Sequence, residues 1–167
     1  MLFESKFKLA PNLLILYGDH PLISNDTIKK LIEKHESDNT TITMLTAKVP
    51  NFDGIYQGFY HDGRIIRKAD GKISKIVEPS DANKSIMAIK ETNPAIFVFK
   101  TDWLKKNINN ITINEIKREY YLTQIIEIAK LTKVSIQLVE GNIDECFGVN
   151  TKEQLEIIEK VISKNDL

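Results

Sequence analysis

The sequence predicts an α/β domain: a mixed, mainly parallel sheet with helices on both faces and an inserted β-hairpin. Three observations carry this. Short continuous apolar runs, Leu13-Leu14-Ile15-Leu16-Tyr17 and Ala95-Ile96-Phe97-Val98-Phe99, suit strands buried on both faces. Segments with helical apolar spacing alternate with these runs, as in βαβ folds. Between them, Arg64 to Glu78 reads as two β-branched stretches meeting at Asp70-Gly71, a favoured two-residue hairpin turn.

Taken in order, the first run ends at Gly18-Asp19 and opens a loop. Ser24 can cap a helix in which Ile28, Leu31, Ile32 and His35 fall on one face. Thr40 to Val49 is the next strand, followed by the hairpin. After the Ala95–Phe99 strand, Thr101 and Asp102 open a helix anchored by Trp103 and Leu104. Tyr121, Ile125, Ile128 and Ala129 share a face of a helix running to about Lys130. Val134 to Val139 is the last strand. Thr151-Lys152-Glu153-Gln154 is a capping box, so the C-terminal helix starts there with Leu155, Ile158 and Ile162 inward.

Composition narrows the function. The 167 residues, 42% of them hydrophobic, are enough for one domain spanning 1–167, and no internal repeat or composition shift divides them. Lys and Arg number 23 and Asp and Glu 23, so no net field draws the chain to nucleic acid or an anionic membrane, and a small ligand is the expected partner. Cys146, the single cysteine, reads as a buried thiol rather than a nucleophile or metal ligand. Met1-Leu2-Phe3-Glu4-Ser5-Lys6-Phe7-Lys8 lacks the apolar core of a signal peptide, which points to the cytoplasm.

In open α/β sheets ligands bind beyond the carboxyl ends of strands, which draws attention to Tyr17-Gly18-Asp19-His20-Pro21-Leu22. Gly18 admits close approach to the backbone. Asp19 reads either as a turn residue capping its own backbone or as a hard oxygen ligand for Mg²⁺. Glu78 before Pro79, Asn93 before Pro94, and Asn150 before the capping Thr151 each have an equally plain structural reading. His20, His35 and His61 have no metal-site spacing and carry no assigned role.

Five short motifs fall in the order and spacing of one family: Leu16-Tyr17-Gly18-Asp19 with Pro21-Leu22-Ile23, Gly71-Lys72-Ile73 through Ile76-Val77-Glu78, Lys90-Glu91-Thr92-Asn93, Glu119-Tyr120-Tyr121-Leu122-Thr123, and Gly148-Val149-Asn150. Together they resemble the pyrophosphorylase domain of bacterial N-acetylglucosamine-1-phosphate uridyltransferases, over nearly the whole chain. That resemblance implies a Rossmann-like nucleotidyltransferase fold. It implies Mg²⁺ held at Asp19 and Asn150, the residues that would carry catalysis. Tyr17 and Gly18 would border the nucleotide, Glu78 and Asn93 would bond the sugar hydroxyls, and Tyr121 and Thr123 would line the sugar-phosphate pocket, with Gly63 carried over from the segment His61-Asp62-Gly63-Arg64. The implied reaction joins a sugar 1-phosphate to a uridine nucleotide and releases pyrophosphate.

The chain departs from that family in specific ways. Its glycine-rich phosphate loop and uracil-reading segment have no match here, because Met1 to Pro11 already align just before the Tyr-Gly-Asp strand. Asn93 is followed by Pro94-Ala95 where the family carries Thr-Gly. The expectation is a truncated domain, inactive alone and completed by a separately encoded N-terminal half. The alternatives are a non-catalytic remnant or a sugar-phosphate-binding protein, or a fragment of another sugar-1-phosphate nucleotidyltransferase with a different sugar or base. A sheet missing neighbours beside Leu13–Tyr17 also predicts self-association, with residues near Met1 to Tyr17 in the contact.

Overall fold

A computed structural model of the chain describes residues 10–115 and 117–165. Its strands are β1 (Asn12–Ile15), β2 (Ile42–Lys48), β3 (Gly63–Arg67), β4 (Ile73–Val77), β5 (Glu91–Asn93), β6 (Phe97–Lys100) and β7 (Ile136–Glu140). Its helices are α1 (Asn25–Ser37), α2 (Lys84–Met87), α3 (Thr101–Asn107), α4 (Ile125–Leu131) and α5 (Lys152–Asn165). The strands form a seven-stranded sheet ordered β1-β6-β2-β5-β3-β4, with β7 paired to β2. None of the helices in the described residues is long and apolar enough to cross a membrane.

The sheet corrects one expectation, because it is mainly antiparallel. Only β2 and β7 pair in parallel; β6 lies antiparallel between β1 and β2, and β5, β3 and β4 continue antiparallel. The run through β6 is buried on both faces as expected, whereas the run at β1 is only half-buried, with Leu16 and Tyr17 exposed. Along β6 and the residue before it, Phe97 and Phe99 join one core cluster while Ile96 and Val98 join the other; along β2, Ile42 and Met44 face the first and Leu45 and Ala47 the second. Helices cover both sides: Leu104, Ile125, Ile126 and Ala129 pack into the first cluster, Leu31 and Ile158 into the second. A strand between two helical layers is apolar throughout whichever way its neighbours run.

Local chemistry sets the element ends. Ser24 Oγ accepts from the Thr27 amide at 3.1 Å and starts α1. Thr151 Oγ1 accepts from the Gln154 amide at 3.2 Å while Gln154 Oε1 accepts from the Thr151 amide at 3.0 Å, the reciprocal capping box. On α5, Ile158 is buried, but Leu155 and Ile162 are exposed rather than inward. The β3–β4 hairpin turns through Lys68 to Lys72 instead of two residues, with Gly71 at φ 79° and a register shift at Ile66/Arg67.

Ala95 holds φ 58°, a left-handed backbone that disfavours any side chain. Asn93 Oδ1 accepts from the Ala95 amide at 3.1 Å and fixes that turn. We expect A95G to raise stability by about 0.5 kcal/mol, the reverse of the usual Ala→Gly effect, as read from urea midpoints. A clear loss would show that the methyl contacts outweigh the backbone strain.

Candidate functional site

A cavity of about 250 Å³ opens where the loop after β1, the ends of β3, β4 and β5, the turn before α4 and the loop before α5 converge. Tyr17, Asp19, Gly63, Glu78, Asn93, Tyr121, Thr123 and Asn150 all line it. Gly18 does not. An added Cβ there meets nothing within 4 Å, so neither the cavity nor its own backbone demands a glycine. The wall also contains His20, His61, Asp62, Ala95 and Tyr120.

Each side chain is delivered by a local feature. Asn93 ends β5 and sits in register with Gly63 of β3. Glu78 follows β4, and its Oε1 accepts from Thr123 Oγ1 at 2.6 Å, which ties the hairpin to the turn before α4. Tyr121 was expected on the helix, yet α4 begins at Ile125 after a 3₁₀ turn, Leu122–Gln124. Tyr121 is therefore an extended residue at that turn's start, free to face the cavity. A Cβ on Gly63 would lie 2.8 Å from Ile76 Cγ2 and 3.4 Å from Glu78 Oε1. G63A is expected to cost about 2 kcal/mol by overpacking, measured by thermal unfolding; unchanged stability would mean that β4 yields freely.

The electrostatics are those of a site poor in cations. Asp19, Asp62 and Glu78 line the cavity, and no Lys or Arg does so among the described residues. Burial raises the Glu78 carboxyl above its ordinary range against the opposing pull of its Thr123 bond, and Asp81 adds to the rise. Burial, then Glu78 and Asp19, hold the Tyr17 phenol up as well. Asp62 is pushed up to about 7, chiefly by burial. Cys146 is buried, and burial pushes its thiol up to about 12, so it serves packing and not nucleophilic chemistry.

Several bonding atoms are already committed. Asn93 Oδ1 is taken by the Ala95 amide and Glu78 Oε1 by Thr123. The Nδ2 group of Asn93 is left as a donor and Oε2 of Glu78 as an acceptor, a pairing suited to hydroxyls. Among the described residues no group of three or more His, Cys, Asp and Glu could hold a metal by itself. Asp19 and the amide oxygen of Asn150 are nonetheless hard donors in one cavity. Such a sparse set suits Mg²⁺, which keeps waters and binds phosphate oxygens.

The residues missed by sequence reasoning are His20 and Asp62. His20 Nδ1 lies 3.0 Å from Asp19 Oδ1. Its adjacency to Asp19 was the only signal available. Asp62 was legible only as part of the segment aligned to reach Gly63.

The architecture is an α/β fold, one mainly antiparallel sheet with helices on both faces. The solved structure of CMP:2-keto-3-deoxy-manno-octonic acid synthetase complexed with CTP shares it at a TM-score of 0.57 and 14% identity, over 93% of this chain and 63% of that one. No protein-family model matches the chain. In sequence, the chain resembles part of the bifunctional protein GlmU. It is 41% identical to that of Thermosipho melanesiensis over 153 residues, 92% of this chain and 31% of the relative. It is 41% identical to that of Buchnera aphidicola over 169 residues, 98% and 34% respectively, and 36% identical to that of Clostridium acetobutylicum over 150 residues, 90% and 31%. The chain thus spans about a third of the length of these relatives.

Proposed function

We propose that the chain is the sugar-phosphate-binding portion of a UDP-N-acetylglucosamine pyrophosphorylase, requiring a complementary nucleotide-binding segment to transfer uridylate from UTP to N-acetylglucosamine 1-phosphate. The observation that carries this reading is the convergence of Asp19, Gly63, Glu78, Asn93, Tyr121, Thr123 and Asn150, distant in sequence, on one cavity. Glu78 and Asn93 bond the sugar hydroxyls, Tyr121 and Thr123 flank the sugar, and Tyr17 borders the nucleotide. Asp19 and Asn150 hold Mg²⁺, which supplies neutralisation of phosphate charge when bound. The chain's own residues orient the sugar phosphate. Among the described residues no Lys or Arg lines the cavity, so neutralisation of a leaving pyrophosphate falls to Mg²⁺ and the complementary segment.

Binding decides between this reading and a drifted remnant that has lost the ligand. In titration calorimetry, N-acetylglucosamine 1-phosphate is expected to bind only with Mg²⁺ present, because a phosphate among carboxylates needs a counter-cation. Product formation from UTP is expected only once a nucleotide-binding segment is supplied. Absence of sugar-phosphate binding with Mg²⁺ would end the proposal. Self-association belongs to the same reading: β1 ends the sheet among the described residues, and Leu16 and Tyr17 beside it are exposed. Residues 1–9 of the expected contact lie outside the described residues. Light scattering tests it, a stable monomer being the contrary result.

A further inference from the structure

The two oxygens of Asp19 have different surroundings. Oδ1 lies 3.0 Å from Nδ1 of His20, whose side chain is 10% exposed against 33% for Asp19. A carboxylate oxygen can only accept, so Nδ1 carries the hydrogen and donates. Oδ2 faces Gly148: a Cβ built there would lie 3.8 Å from Oδ2 and 3.7 Å from His20 Nε2. That is ordinary contact distance, and Gly148 is not among the residues with a left-handed backbone. Neither packing nor conformation therefore demands a glycine. What its missing side chain does is leave a gap over Oδ2. The Val149 amide donates to the Asp19 carbonyl at 2.8 Å, so the loop carrying Gly148 and Asn150 stays fixed to Asp19 whichever side chains flank it.

We propose that His20 is a positioning residue which locks the Asp19 carboxylate with Oδ2 presented to the gap over Gly148, where a divalent cation or its water enters. The inference rests on Asp19 being a cation ligand. An aspartate's terminal torsion is broad, so a carboxylate on a loop samples many orientations unless one oxygen is held. A hydrogen bond from a ring that is itself only 10% exposed supplies that restraint, and outer partners of this kind set metal affinity by about 10- to 100-fold. The side-chain Nδ2 of asparagine can reproduce the Nδ1–H of histidine, whereas leucine fills similar space with no donor.

The test is Mn²⁺ binding by the full chain, followed by paramagnetic relaxation of water protons, in wild type, D19N, H20N, H20L and G148A, with thermal unfolding of each. D19N is expected to abolish binding. H20L should weaken it by about tenfold or more while H20N restores it. G148A should weaken it comparably at an unchanged unfolding midpoint, since its methyl blocks the gap without a clash. Undiminished binding in D19N would overturn the cation-ligand reading and this inference with it. Loss in D19N with wild-type affinity in both H20L and G148A would overturn the inference alone. Should H20L not fold, G148A and H20N carry the decision, because neither introduces a clash.

Discussion

Replacing Arg64 with methionine is expected to lower the unfolding free energy by about 3 kcal/mol and the melting temperature by roughly 6–12 °C. Arg64 is fully buried on β3, and its guanidinium donates to main-chain carbonyls: Tyr60 at 3.0 Å, Phe59 at 3.3 Å, Met87 at 3.4 Å, and Asp62. Phe52 and Tyr60 cover it, with its Cζ 4.5 Å and 5.5 Å from the ring centroids. Methionine keeps much of the volume but has no donor. Carbonyls from the 3₁₀ segment Gly54–His61, from Asp62 and from the end of α2 then lose their bonds inside the protein. Each orphaned acceptor costs about 1–3 kcal/mol, partly offset by no longer desolvating a buried cation. Lysine restores at most a few of the bonds and should behave more like methionine than like arginine. Urea unfolding decides: R64M within 0.5 kcal/mol of wild type would mean that water satisfies the carbonyls as well as the guanidinium does.

The placement of β6 between β1 and β2 marks the boundary of what the sequence could reveal. The apolar run at Leu13 signalled a strand that touches both core clusters, but β1 stops at Ile15, is only half-buried, and leaves Leu16 and Tyr17 exposed; the strand, loop and helix from β1 to α1 led correctly to β2. β1 and β2 do run the same way, since both are antiparallel to β6. The insertion of β6 between them is a long-range pairing that leaves no periodic trace in either strand, and it turned a predicted parallel neighbour into an antiparallel one. At the site, Glu78 and Asn93 were legible from motif order, and Gly63 only from the segment His61-Asp62-Gly63-Arg64. The bond that ties Glu78 to the turn before α4 was not, because Thr123 lies 45 positions away. Tyr121 was misplaced onto a helix because helical spacing with Ile125 persists through the 3₁₀ turn that precedes α4. His20 and Asp62 carry meaning only through neighbours folded against them.

Asp62 makes the second large prediction, a stability that falls as pH rises. Burial pushes its carboxyl from an ordinary value near 3.8 to about 7; Thr92 and the Arg64 guanidinium oppose the rise, and Glu78 and Asp19 add to it. Between pH 4 and 7 the folded chain therefore holds a proton that the unfolded chain has released. Stability changes with pH in proportion to the protons bound by the unfolded state minus those bound by the folded state, and here that difference is negative. The contribution of the neutral carboxyl is whole below about pH 4 and is lost as pH rises through about 7. At about 1.4 kcal/mol per pH unit the loss is on the order of 4 kcal/mol. Asparagine has the same shape and does not titrate. D62N should match wild type at pH 4 and exceed its stability increasingly up to pH 8. The raised carboxyl of Glu78 has the same sign but is present in both proteins, so the difference between them isolates Asp62. Urea unfolding of both at pH 4, 6 and 8 measures it, and a wild-type-to-D62N difference that stays flat across that range would show that the Asp62 carboxyl is solvated in the folded chain.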